Sequence, residues 1–204
     1  MFDKAALKIS KPMIDALARR LLGFGITADQ LTFKGFGLGM LAAALIAFSH
    51  PMLAIIPLLT GRICDGLDGA LARMSNTQND RGAFLDIALD FVFYASVPLA
   101  FVIADSVHNA LAGAVLLAGF VTTGTSFLAY AAIAAKRGDT SSSDYPTKGI
   151  YYLGGLTEGS ETIALFLAFC IFPSYFAVLA YIYAAMCGLT TFTRLMAGYR
   201  HFGV

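Results

Sequence analysis

"CDGLDGALARMSNTQNDRGAFLDIALDF", Cys64 to Phe91, sets four aspartates in a stretch that is otherwise apolar or turn-forming. They fall as two pairs. Asp65 and Asp68 are i and i+3 on a helix, Asp86 and Asp90 are i and i+4, so each pair shares one helical face. Between them "MSNTQNDRG" (Met74–Gly82) supplies Ser, Asn, Thr and Gly, the chemistry of a tight polar turn. The stretch predicts two antiparallel helices whose carboxylates converge. Left to themselves, such charges repel one another, and each costs several kcal/mol in hydrocarbon.

A hard divalent cation removes that objection, because carboxylate oxygens at this density suit Mg²⁺, Mn²⁺ or Ca²⁺ rather than zinc. With Asp65 at zero and about 100° per residue, Arg62, Asp68, Gly69, Ala72 and Arg73 fall within an arc of about 140°. Gly69 and Ala72 have almost no side chain, so a bulky group can approach the backbone there. Two cations and a metal beside such a groove suit a phosphate-bearing ligand. The structural alternative is a buried Asp–Arg network that only locks the hairpin, an expensive lock at membrane depth.

Outward from this stretch the chain is apolar: 58% of its 204 residues are hydrophobic and the mean hydropathy is +0.72. Ordinary soluble domains hold about 45–50%, so the chain is expected to be an integral membrane protein of one domain over 1–204. Six apolar spans can be drawn, at 33–49, 52–73, 83–104, 108–135, 155–172 and 175–198. At a rise of about 1.5 Å per residue each is a candidate for crossing a hydrocarbon core of about 30 Å. The fourth, about 42 Å long, should project beyond the lipid near Lys136. The connections "SHP", "DSVHN" and "PS" hold no Lys or Arg. All the cations but Arg62 lie at the termini, in the other connections or near the adjoining helix ends. The positive-inside rule then puts both termini and the aspartate-bearing turn in the cytoplasm.

Residues 2–22 predict an amphipathic helix, or two meeting at Pro12. Phe2, Ala6, Ile9, Met13, Leu17 and Leu21 lie on one face, with Lys4, Lys8, Lys11 and Arg19 opposite. Such a helix suits the bilayer interface; packing on its own protein is the alternative. The expected fold class is thus all-α: six transmembrane helices over 33–198 preceded by an interfacial helix. Cys64, Cys170 and Cys187 lack paired spacing and read as small buried hydrophobes. No cleavable signal peptide and no nucleic-acid partner are expected.

Asp65-x-x-Asp68-Gly69-x-x-Ala72-Arg73, eight residues, Gly82-x-x-x-Asp86-x-x-x-Asp90 resembles the complete signature of the CDP-alcohol phosphotransferase family. The resemblance implies a reaction in which a CDP-linked lipid, usually CDP-diacylglycerol, gives its phosphatidyl group to a small alcohol and releases CMP. It implies a divalent cofactor, Mg or Mn, on Asp65, Asp68, Asp86 and Asp90, with Asp90 the general base. Gly69 and Ala72, with Gly82 in the same motif, would leave room for the nucleotide, and Arg73 would contact its diphosphate. A homodimer with its active site on the cytoplasmic face of a bacterial inner membrane is implied as well. Family members commonly carry Pro-Asn and then Thr before the first span; here "TADQLTFKG" has Ala28-Asp29 and keeps Thr32. Asp29 and Thr32 are candidate nucleotide contacts, an N-cap at Thr27 or Asp29 being the alternative. "LDIALDFVFY" (Leu85–Tyr94) matches neither "LDPxADK" nor "LDSLADxxSFG" of better-known branches, and with "YYLGGLTEGSETI" resembles a little-characterised inner-membrane branch.

The acceptor must be read elsewhere. Glu158 and Glu161 are i, i+3, and only about ten apolar residues follow Thr162, roughly half a bilayer. The start of that span should face a wet cavity, with the glutamates lining an acceptor site or pairing with Arg62, itself a candidate acceptor contact. Arg194, near Thr190 in "GLTTFTRLMAGYR", either grips an acceptor phosphate or snorkels, and Lys136 and Arg137 carry the same two readings. A transporter or metal-binding scaffold using the aspartates as a cation site is the alternative class.

Overall fold

A computed structural model describes residues 3–138 and 155–203, with side chains from residue 11 onward. It is helical throughout: α1 (Asp3–Gly23), α2 (Ala28–Ala47), α3 (Pro51–Met74), α4 (Asp80–Ala104), α5 (Ser106–Arg137), α6 (Gly159–Ile171) and α7 (Phe176–Phe202), with a 3₁₀ turn at Pro173–Tyr175. Lys148 and the rest of 139–154, which precede the fifth expected span, lie outside the described residues.

The helix ends are set by local chemistry. Thr27 caps α2, its Oγ1 accepting from Gln30 N at 3.3 Å while Gln30 Oε1 accepts from Thr27 N at 3.2 Å. That reciprocal cap starts the helix at Ala28, ahead of the apolar run expected from 33. α1 leaves its last turn through Gly25, whose φ of +71° disfavours an L side chain. The α3–α4 turn is tied by Ser75 Oγ to Leu71 O (2.7 Å), Thr77 N to Ala72 O (3.0 Å) and Asn79 Nδ2 to Thr77 O (3.0 Å). Asn79 Oδ1 then accepts from Gly82 N at 2.8 Å and caps α4. Asn79→Ala is expected to cost about 1 kcal/mol, read as a lower Tm in detergent; an unmoved Tm would remove this cap from the account.

Among the described residues, α2, α4, α5 and α7 are long and apolar enough to cross a membrane by length and composition. α3 has 24 residues but carries Arg62 at its midpoint and Asp65, Asp68 and Arg73 in its second half. α6 departs most from expectation. Its 13 residues span about 20 Å, because the chain before Gly159 is not helical: Glu158 is extended (φ −99°, ψ −176°) and its Oε1 accepts from Gly155 N at 2.9 Å. Large apolar side chains such as Ile56 (68% exposed) and Leu111 (69%) line the outer surface, as a lipid-facing surface requires.

α1 is one helix through Pro12. Of the expected face, Leu17 and Leu21 pack together with Ile14 and Ala18 on Leu67, Ala70 and Leu71 of α3, whereas Met13 is exposed. The i+4 steps from Ile14 to Ala18 and from Leu17 to Leu21 make that stripe.

The central fact of the packing is the position of α2. It packs extensively on both α3 and α4, whereas α3 and α4 touch each other only marginally. α2 and α3 meet backbone to backbone: a Cβ on Gly35 would stand 3.0 Å from Gly61 O and 3.4 Å from Asp65 N. On its other side a Cβ on Gly39 would stand 2.8 Å from Phe93 Cδ2 of α4. Small residues here let helices approach where side chains would hold them apart. The aspartate-bearing helices are therefore splayed around α2 rather than zipped as a tight hairpin. Phe93, Phe166, Phe169, Phe176 and Phe101 form the aromatic core beneath, with Phe93 and Phe166 edge to face at 5.7 Å.

Candidate active site

Asp65, Asp68, Gly69, Ala72 and Arg73 project from the second half of α3; Gly82, Asp86 and Asp90 come from the first turns of α4. Asp65 lies nine residues before the end of α3, about 14 Å down the helix. The site is thus a recess between two splayed helices.

Arg62 lies at its centre. Nη1 donates to Asp90 Oδ1 at 2.6 Å and lies 3.5 Å from Asp65 Oδ2, so one guanidinium bridges α3 to α4. Its carbon stands 4.6 Å from the centroid of the Phe93 ring, which forms the floor. Asp68, 7% exposed, accepts from Thr32 Oγ1 of α2 at 2.5 Å. Thr32 thus joins the site, while Asp29 forms an ion pair with Arg81 across the α2–α4 contact. Among the described residues no three acidic, His or Cys side chains gather round one point as for a bound metal, a departure from the expected convergence. The reason is visible: Arg62 draws Asp90 and Asp65 to itself, and Thr32 holds Asp68. The donor set still fits a hard divalent cation, since it is all carboxylate and its four charges have one guanidinium among them.

Gly69 has a tangible role. A Cβ there would stand 3.2 Å from Arg73 Nη1, so the arginine folds back over the bare backbone between it and Asp68. Gly82 N is committed to the Asn79 cap, and Ala72 is half-buried.

Tyr94 and Phe93 escaped the sequence reading. Tyr94 Oη donates to Asp90 Oδ2 at 3.4 Å and lies 3.5 Å from where a Cβ on Gly159 would stand. One hydroxyl therefore connects Asp90 to the start of α6. The i, i+4 spacing of Asp90 and Tyr94 was the available signal.

The acceptor candidates separate. Glu158 is 5% exposed and turned into its own loop. Glu161 is half-buried and accepts from Ser160 Oγ at 3.0 Å. Arg194 is 6% exposed, with Nη1 donating to Thr123 O of α5 at 3.1 Å, so it is a buried cation between α5 and α7 and not a snorkelling one. Arg137 Nη1 reaches His201 O at 3.2 Å and fastens the end of α5 to that of α7, while Lys136 is exposed beside it.

Residues 26–195 match the model of the CDP-alcohol phosphatidyltransferase family. The chain belongs to this family. It is a membrane transferase of phospholipid synthesis. The inner membrane protein YnjF of Escherichia coli is 49% identical over 98% of this chain and 96% of that protein. Archaetidylinositol phosphate synthase of Pyrococcus horikoshii is 36% identical over 48% of this chain and 51% of its own. Among solved structures, phosphatidylinositol phosphate synthase of Mycobacterium tuberculosis in complex with manganese and citrate aligns with a TM-score of 0.72 at 22% identity, covering 91% of this chain and 88% of that one. The same enzyme with CDP-DAG bound gives 0.68 at 20% identity, covering 92% and 94%. At these identities the likeness concerns the fold.

Proposed function

We propose that the protein transfers a phosphatidyl group from CDP-diacylglycerol to a small alcohol, releasing CMP. The observation that carries this reading is Asp90, held at both oxygens by Arg62 and Tyr94 in a recess with three further aspartates. The acceptor hydroxyl oxygen attacks the lipid-side phosphorus, the bond from that phosphorus to the CMP phosphate oxygen breaks, and the hydroxyl proton passes to Asp90. Arg73 faces the diphosphate, Gly69 and Ala72 admit the nucleotide, and Thr32 fixes Asp68. Asp65, Asp68, Asp86 and Asp90 would hold a divalent cation, Mg or Mn, which offsets diphosphate charge and stabilises the leaving CMP. The manganese and CDP-DAG complexes of the Mycobacterium relative support this assignment of metal and donor.

On the same reading Glu161, Glu158 and Arg194 frame the acceptor side, reached from Asp90 through Tyr94 and the start of α6. Lys136 and Arg137 lie at its outer rim, and Asp29 acts through its pair with Arg81. The chain is one inner-membrane domain of six spans, α3 and α6 crossing beside the four apolar helices. Both termini are cytoplasmic, α1 lies at the interface, and the enzyme works as a homodimer. The relative named as an inner membrane protein supports the location.

The test is CMP release by the purified protein from CDP-diacylglycerol with Mg²⁺ or Mn²⁺ and a panel of acceptors: glycerol 3-phosphate, serine, inositol phosphate, choline and phosphatidylglycerol. Turnover with one acceptor, abolished by chelation and restored by either ion, is expected. Turnover that survives chelation would remove the metal from the mechanism; ion flux into liposomes without turnover would favour a transporter.

A further inference from the structure

The signature aspartates account for four carboxylates, but nothing in the signature calls for Arg62, three residues before Asp65. In this chain a cation is built into the place where carboxylate charge is densest. Its Nη1 is 2.6 Å from Asp90 Oδ1 and 3.5 Å from Asp65 Oδ2, and its side chain is 16% exposed. Phe93, fully buried, supports the guanidinium from below at 4.6 Å, a resting place independent of the carboxylates. Two carboxylates on different helices thereby share one positive charge.

We infer that Arg62 is a resident counter-ion that competes with the divalent cation for Asp65 and Asp90, so that it sets the metal concentration the enzyme requires. The physical ground is simple. Carboxylate oxygens committed to a guanidinium must be released before they can ligate, and a positive charge at the site repels an incoming cation through a medium far less screening than water. The same side chain offsets repulsion between the two half-buried carboxylates, 27% and 31% exposed, from its own more buried position.

This inference rests on reading the aspartates as a divalent-cation site, and the experiment separates the two. Purified, chelator-stripped protein is titrated with Mn²⁺, and free ion is followed by its electron paramagnetic resonance signal, with no substrate present. Arg62→Gln should bind Mn²⁺ about tenfold more tightly than the parent, whereas Arg62→Lys, which keeps the charge, should stay near the parent. Arg62→Gln binding no more tightly than the parent would overturn the counter-ion role while leaving the metal site standing. A parent that binds no Mn²⁺ at any concentration would sink the site reading itself. If metal-free Arg62→Gln does not survive purification, folding becomes the readout: the variant should fold in Mn²⁺ and collapse on chelation, while the parent survives. A variant that fails to fold even in Mn²⁺ would make Arg62 a structural cation that metal does not replace, and would end the proposal.

Discussion

Asp90→Asn should lower turnover about a thousandfold, within the span general bases contribute, and leave the helices in place. Asparagine has nearly the volume of aspartate. Its Oδ1 still accepts from Arg62, and its amide can donate to Tyr94 Oη, so both contacts at this position survive in outline. What disappears is the negative charge that would take the acceptor proton. Two measurements decide it: CMP release from CDP-diacylglycerol, and a melting curve in detergent with and without Mn²⁺. A variant that keeps turnover within tenfold of the parent would take the base away from Asp90. A loss of turnover with an equal loss of melting temperature would instead mark Asp90 as the strut under Arg62.

The second large effect is expected far from any charge. Gly35→Val should lower stability by about 2–4 kcal/mol and abolish most turnover. The glycine faces Gly61 O at 3.0 Å and Asp65 N at 3.4 Å from its absent Cβ, and both are backbone atoms that cannot swing aside. Forcing α2 off α3 at that point moves Asp65 at its root and withdraws Thr32, one turn earlier on α2, from Asp68. Gly37→Val is the control, since nothing lies within 4 Å of a Cβ there. Equal stability and turnover in the two variants would show that the α2–α3 crossing does not set the site.

The two cases mark where the sequence was readable. Asp65, Asp68, Asp86 and Asp90 were legible because carboxylates in an apolar chain need a reason, and helical spacing puts each pair on one face. Apolar runs located the helices, though α2 starts at Ala28, ahead of its run, and α6 only at Gly159. Which helix Gly35 meets, and that Asp65 lies at the crossing, depends on residues 26 and 30 positions away. Thr32 was singled out for the nucleotide, yet its hydroxyl serves Asp68. Arg62 was visible as a cation on the right face and was assigned to the acceptor, since spacing along one helix says nothing about reach across a cleft.

The reaction class came from the family that the motif resembles; what the sequence alone determined is an all-helical membrane chain with four aspartates at fixed helical spacing. These are properties of residue type and of i, i+3 and i, i+4 geometry, which local backbone structure enforces. Tertiary structure decided the rest. The wedge of α2 between α3 and α4 opens the recess, Phe93 and Arg62 close its floor, and Tyr94 links Asp90 to α6. Each of those is a meeting of helices distant in sequence, fixed by which small residues let backbones approach, and no periodicity within a single helix encodes it.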